Sequence, residues 1–169
     1  MRQRTLDLFA RQKIREVWND PGLNAATWQV PGAAERKQAL LGDFLDPAKQ
    51  QPVIDFARFE NDVVVDTLLR AAELVKKKTA GRKLVAAFYG YLFETAALPG
   101  RPAAAGHLGL DRVLQSPFID IVASPISYGD RSLDGISAFM SPVDSFAANG
   151  KLWMVEDDTR TWLCPEDSS

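Results

Sequence analysis

Apolar residues recur every three or four positions in two parts of this chain, which predicts two amphipathic helices. The first pattern covers residues 5–18, and the second, longer one covers 53–78, with Gly81 following as a helix stop. Residues 23–52 between them carry several prolines and glycines. This composition predicts a loop-rich excursion with one short helix near 33–41.

Three short apolar runs, at 84–91, 119–123 and 152–155, are typical of strands buried on both faces. Between them, the pattern predicts a short helix at 104–114 and a helical turn near 143–147. Strands that alternate with helices indicate βαβ units. We therefore expect an α/β fold with a short parallel sheet, flanking helices and the three strands adjacent in chain order.

The chain of 169 residues is long enough for a single domain, in which residues 1–52 form the N-terminal helix and loop-rich excursion and 53–169 form the βα units. A net charge of −2 gives no electrostatic case for nucleic acid or an anionic membrane. No run approaches a membrane span, and the first residues lack the apolar core of a signal peptide, which together favour a cytoplasmic protein.

The chain has few of the residues that form disulfides or bind zinc. Cys164 is the only cysteine and His107 the only histidine, which argues against a disulfide and against a Cys/His zinc site. Neither a GxGxxG nor a Walker pattern occurs. We expect no metal and no cofactor, and we expect His107 to cap or pack rather than to catalyse.

The third apolar run ends abruptly at three acids, Glu156, Asp157 and Asp158. Acids at the carboxyl end of a parallel strand would lie at the mouth of an α/β fold, where such folds build their active sites. Asp and Glu also favour the first turn of a helix, so a structural interpretation of the same residues stays open.

Aromatic and polar side chains follow the other two strands as well. Tyr89, Tyr91 and Glu94 come at the end of the first, and Tyr128 and Arg131 come just beyond the second. Rings that stack on sugar faces, together with carboxylates that bind hydroxyls, are what a carbohydrate site needs. The alternative is that the tyrosines pack in the core and that Glu94 is a solvated loop acid.

These motifs also resemble a known family. The segments that carry the resemblance are AFYGYLFE at 87–94, SPFIDIVASPISYGDR at 116–131, FMSPVDS at 139–145, GKLWMVEDDTRT at 150–161 and FARQKIREVWNDPGLNAATWQVPGAAER at 9–36. They resemble the β-galactosidase-like enzymes of glycoside hydrolase family 42 and their relatives. The resemblance covers most of the chain. It corresponds to the part of a catalytic barrel from just after the fourth strand through the seventh.

The resemblance implies a partial (β/α)₈ (TIM) barrel and retaining chemistry, which uses a nucleophile and an acid/base. Glu156 matches the nucleophile's position. The acid/base would lie at the end of the fourth strand, before the segment where this chain begins. Since the acid/base is then missing, we expect a catalytically incomplete, glycoside hydrolase-related domain that is inactive as this chain alone. A complete barrel also takes about 250 residues, more than this chain has.

Two alternatives follow from this expectation. The chain is either a fragment of a longer enzyme or a natural truncated relative that has lost catalysis. In the second case we expect a non-catalytic carbohydrate-binding or assembly module. Part of a barrel has open sheet edges, which are pairing sites. We expect carbohydrate as the ligand, and either a homo-oligomer, most simply a C₂ dimer, or the missing remainder of the barrel as the partner.

Overall fold

The three apolar runs form one parallel sheet. Its strands are β1 (Ala86–Phe88), β2 (Ile121–Pro125) and β3 (Leu152–Glu156), hydrogen-bonded in the order β1-β2-β3. This confirms the predicted α/β class, the parallel direction and the strand order. The computed structural model describes residues 30–41, 44–93, 102–128, 134–136 and 138–157.

Four α-helices accompany the sheet in the described part of the chain, namely α1 (Ala33–Lys37), α2 (Pro47–Thr79), α3 (Leu110–Gln115) and α4 (Val143–Ala148). The short helix near 33–41 and the helical turn near 143–147 were both predicted and are confirmed. Between β1 and β2 lies α3, and between β2 and β3 lies α4, so each connection is a βαβ crossover. The helix predicted at 5–18 lies outside the described residues.

The long helix α2 begins earlier than the sequence predicted. Asp46 caps it by accepting a hydrogen bond from the Ala48 N–H at 2.9 Å, and Pro47 follows at a position where a missing N–H is tolerated. Pro52 was read as part of the loop, but the helix accommodates it through a kink at Gln50. The boundary placed at residue 52 therefore falls within a helix.

The helix predicted at 104–114 begins only at Leu110 and is preceded by a 3₁₀ turn at Pro102–Ala104. Gly106 adopts a φ of +77°, which is incompatible with an α-helix. Gly109 then serves as the N-cap residue of α3. The apolar spacing alone did not distinguish a helix start at 104 from a start six residues later.

The prediction that all three strands are buried on both faces is right only for β2. In β1, the strand is shorter than the predicted 84–91 and ends before Gly90, whose φ is +81°. On one face of the sheet the residues of β1 and β3 are exposed. Along β1 the order is exposed, buried, exposed, and along β3 exposed residues alternate with half-buried ones. A three-stranded sheet has two edge strands, so a continuous apolar run does not by itself establish burial.

The core lies between the other side of the sheet and the helices. Its buried cluster combines residues of α2, α3 and α4 with residues of the strands, and comprises Val65, Ala72, Ala87, Tyr89, Val113, Leu114, Ile119, Val122 and Phe146. All three helices thus contribute to one packed face of the sheet. In the described residues no helix is both long enough and apolar enough to cross a membrane.

Candidate functional site

The carboxyl ends of the three strands meet at one edge of the sheet. The ladder pairs Phe88 with Ala123 and Ala123 with Met154, so the residues that follow each strand emerge side by side. A further hydrogen bond, from the Ile126 N–H to the carbonyl oxygen of Glu156 at 3.3 Å, extends this alignment past the strand ends. The expectation that the segments after the three strands share one end of the sheet is confirmed.

Tyr91, Tyr128 and Glu156 form the centre of this edge. The pKa of the Tyr91 phenol is raised, first by burial and then by the charges of Tyr128 and Glu156. Tyr91 and Tyr128 follow β1 and β2, and Glu156 ends β3, so the strand register places the three residues at the same end of the sheet. Tyr128 is 54% exposed and Glu156 is exposed, so two of the three are accessible to a ligand from solvent.

Tyr89 does not belong to that surface. Its side chain is only 2% exposed, and its hydroxyl donates to the Gly106 carbonyl oxygen at 2.9 Å and accepts the Gly109 N–H at 3.1 Å. Burial raises the pKa of this phenol, which stays neutral. Of the two interpretations of Tyr89, a sugar platform or core packing, the geometry corresponds to core packing.

His107 links the two tyrosines. Its ring stacks on Tyr89 with centroids 4.8 Å apart and lies 4.3 Å from the Tyr91 ring, tilted by 59°. The Nδ1 atom accepts the Gly90 N–H at 2.9 Å, which in the neutral ring places the proton on Nε2. Burial lowers the pKa of His107, so the ring is neutral near pH 7. The expected packing role of His107 is confirmed.

The contact of His107 with Tyr91 is one that the sequence did not reveal. The imidazole lies in tilted contact with the Tyr91 ring just beyond the end of β1. The two residues are 16 positions apart and fall in segments predicted as a strand and a helix, so no local pattern connects them. A loop that turns back at Gly106 brings them together.

The other predicted site residues divide into two groups. Asp157 follows Glu156 at the end of β3 and is exposed. Glu94, Arg131 and Asp158 lie outside the described residues. Within the described ranges, no group of three or more His, Cys, Asp or Glu residues is arranged to hold a metal ion.

A cavity of about 520 Å³ lies on the helical side of the molecule, between α2 and α3. Part of its polar lining is engaged in packing: Asn61 donates to the Ala103 carbonyl oxygen and accepts the Leu108 N–H, and Arg112 pairs with Asp66 and Asp62. These bonds join α2 to α3 and to the turn before it, and two further polar side chains of the lining, Arg58 and Asp111, are exposed.

Comparison with known proteins adds no assignment. No family model matches the chain, and no match was found among curated proteins or among solved structures. The functional inference therefore depends on the residues at the carboxyl edge and on the arrangement of helices and strands.

Proposed function

We propose that this chain is a carbohydrate-binding α/β domain, related to the later part of a retaining glycosidase barrel and without turnover of its own. The consecutive strand order supports the relationship. In a (β/α)₈ barrel successive strands are neighbours and the helices form one outer layer. A doubly wound sheet instead reverses its strand order and carries helices on both faces.

The packing of the helices supports the same relationship. The buried cluster joins Val65 of α2, Val113 of α3 and Phe146 of α4 against one face of the sheet. The opposite face, which would line the interior of a barrel, carries exposed Phe88 and Met154. Glu156 lies two residues after Met154 in β3. Because alternate residues of a strand point to the same face, the Glu156 side chain is on the face that would line the barrel interior.

The observation that carries the proposed binding function is that the parallel register puts Tyr91, Tyr128 and Glu156 at the same carboxyl edge, with Tyr128 and Glu156 exposed. Aromatic rings offer apolar faces that stack on a sugar ring. A carboxylate accepts hydrogen bonds from two sugar hydroxyls at once. Two rings, one of them exposed, and an exposed carboxylate at one edge therefore favour a neutral saccharide over a charged ligand.

We expect no turnover because retaining chemistry needs a second carboxyl group beside Glu156, and among the described residues Asp157 is the one adjacent to it in the chain. A retaining pair lies about 5–5.5 Å apart, and the proton donor contributes about 10²–10⁴-fold to the rate. Asp157 is adjacent to Glu156 in the chain, and neighbouring side chains of a strand point to opposite faces. We therefore assign Glu156 to binding rather than to a nucleophile–acid pair.

The test is a titration of the chain with galactosides, followed by intrinsic tyrosine and tryptophan fluorescence or by calorimetry. Tyr128→Ala and Glu156→Gln are each expected to weaken binding by about tenfold, which corresponds to one lost hydrogen bond or stacking contact. Leu74→Ala is the matched control, because Leu74 is 55% exposed on α2 and remote from the strand ends. Affinity that is unchanged in both edge variants would refute the site.

Hydrolysis is measured in parallel with an aryl β-galactoside. No release of the aryl group above the uncatalysed rate is expected. Turnover by the wild-type chain that is abolished in Glu156→Gln would show that a second carboxyl completes the pair, and the domain would then be an enzyme.

Assembly is a second candidate function, and a different observation favours it. Four large apolar side chains on the strands are more than two-fifths exposed, although parallel sheets are normally covered on both faces; they are Phe88, Leu152, Met154 and, just before β1, Leu84. A chain that binds no saccharide but associates through this face would be an assembly module.

A further inference from the structure

One face of the sheet is apolar and exposed. The ladder places eight residues on this face, which is the one that would line a barrel interior. Pro125 and Glu156 lie at its carboxyl end, and we call the other six together the outer face: Ala86, Phe88, Ile121, Ala123, Leu152 and Met154. Phe88, Leu152 and Met154 are 47%, 62% and 43% exposed, whereas Ala123 between the flanking strands is fully buried. The outer face therefore consists of a small central residue with large apolar side chains on either side.

The inner face differs because helices cover it. Ala87, Tyr89 and Val122 alternate with the outer-face residues along the strands and lie in the core with residues of α2, α3 and α4. Purely parallel sheets occur almost only with both faces covered. The outer face thus has the composition of a buried surface without a described element packed on it.

The two ends of the outer face carry opposite charge. Glu156 and Asp157 are exposed at the carboxyl end of the strands, and Arg82 and Lys83 are exposed at the amino end. A two-fold axis parallel to the sheet and perpendicular to its strands would bring the acidic end of one copy against the basic end of the other. The opposite orientation would place like charges together, which is unfavourable.

We propose that the outer face binds a second copy of this chain, with the strands of the two copies running in opposite directions. The inference rests on the assembly function proposed above and does not require saccharide binding, although both would use Glu156. The two apolar surfaces would pack at the usual sheet-to-sheet separation of about 10 Å. Phe88, Leu152 and Met154 of each copy would pack against the same three side chains of the other, since Ala123 between them is already buried.

The dimensions of the face set the expected affinity. With strands about 4.8 Å apart and a rise of about 3.3 Å per residue, it is roughly 14 Å wide and 17 Å long. Each copy would then bury a few hundred Å², which is below the roughly 800 Å² of a standard interface. A weak, reversible dimer with a dissociation constant on the order of 100 µM is therefore expected.

The first test is sedimentation velocity or light scattering of the full chain over about 5–500 µM, a range that brackets this dissociation constant. The double variant Leu152→Glu/Met154→Glu is expected to raise the dissociation constant at least about a hundredfold, because it introduces charge into an apolar contact. Leu74→Glu makes the same change on α2 at similar exposure and should leave association within about threefold.

A second pair of variants tests the antiparallel orientation of the two copies. Lys83→Glu should weaken the dimer by about five- to tenfold, and high salt should weaken the wild type in the same direction. Lys37→Glu, an identical charge change on α1, is the control and should have no effect. If Lys83→Glu and Lys37→Glu weaken the dimer equally, or if neither weakens it, the antiparallel arrangement is wrong.

The second test needs no substitution. Hydrogen peroxide oxidises accessible methionine to the sulfoxide, and Met154 is 43% exposed while Met140 is 4% exposed. Oxidation of Met154, followed by mass spectrometry, should become several-fold slower as the protein concentration passes through the dissociation constant, with Met140 slow throughout. A monomer at all concentrations, or Met154 protected equally at every concentration, would overturn the proposal, and the latter would mean that another part of the same chain covers the face.

Discussion

The Lys76 ammonium donates a hydrogen bond to Asp120 Oδ2 at 2.6 Å and thereby joins the end of the long helix α2 to the amino end of β2. The same oxygen accepts the Val85 N–H at 2.7 Å, just before β1. The Lys76 and Asp120 side chains are 15% and 26% exposed. A single carboxylate therefore ties together the helix and two strands.

Replacing this carboxylate should lower the free energy of unfolding. In Asp120→Asn the ion pair is lost while an amide oxygen can still accept the Val85 N–H, so we expect a loss of about 1 kcal/mol. Glu73→Gln removes the Lys77–Glu73 pair, which is more exposed, and should lose no more than about 0.5 kcal/mol. Urea unfolding followed by circular dichroism measures both, and equal losses would contradict the linking role of Asp120.

Asp120 should also contribute to acid sensitivity. The hydrogen bond from Lys76 lowers the pKa of this carboxyl in the folded state. Its contribution to stability is therefore complete above the unfolded-state pKa of about 3.9 and declines as the pH falls through and below that value. The Asp120→Asn variant should lose less stability than the wild type between about pH 5 and pH 3. Parallel pH profiles of the two proteins would exclude this contribution.

The regular part of the fold could be predicted because its signals are local. Apolar runs bounded by polar residues located the three strands, and their alternation with helices predicted the parallel direction and the order. The ends of elements were less predictable. Gly106 and Gly90 adopt positive φ values for tertiary reasons, since each lies where the chain turns to bring His107 against the tyrosines.

The candidate site was predictable in composition but not in arrangement. Tyr89 and Tyr91 are equivalent by sequence, yet one hydroxyl is fixed in the core and the other ring lies near Tyr128 and Glu156. Which face of β3 is exposed depends on which side the helices pack, a long-range property that periodicity does not encode. The resemblance to a glycosidase barrel stays a prediction.

Tyr89→Phe should be destabilising although it removes only one oxygen atom. The hydroxyl satisfies the Gly106 carbonyl and the Gly109 N–H in a buried position, so its loss leaves two backbone groups without that partner. We expect a decrease of about 1–3 kcal/mol in the free energy of unfolding. Tyr128→Phe, at a ring that is 54% exposed, should change it by less than about 0.5 kcal/mol. Chemical denaturation of the pair decides between these values.

Stability should also fall in mildly acidic solution because of His107. Burial lowers its pKa in the folded state, so the unfolded chain binds the proton more readily. Above the unfolded-state pKa of about 6.5, His107 does not reduce the free energy of unfolding. The free energy of unfolding then decreases as the pH falls below that value toward the lower folded-state pKa. Since this is the only histidine, His107→Gln should flatten the profile between about pH 8 and pH 5. A wild-type stability that rises on acidification over this range would contradict the assignment.

Gly90 and Gly150 offer a matched pair for testing the close packing behind the candidate site. Both have positive φ values, +81° and +68°, so alanine introduces similar backbone strain of about 1 kcal/mol at each. At Gly150 an added Cβ meets nothing within 4 Å, whereas at Gly90 it would lie 2.7 Å from a terminal methyl group of Leu110. Because the Leu110 side chain can shift, Gly90→Ala should lose up to about 1 kcal/mol more than Gly150→Ala.

The steric part of that difference can be isolated. Leu110→Ala removes the methyl groups that the new Cβ would contact, so the double variant Gly90→Ala/Leu110→Ala should be more stable than the sum of the single changes predicts. Thermal unfolding of the four proteins gives the coupling energy. Strict additivity would mean that Gly90 is required for its backbone conformation alone. A favourable coupling would mean that the contact between the β1 end and α3 fixes the loop on which Tyr91 and His107 meet.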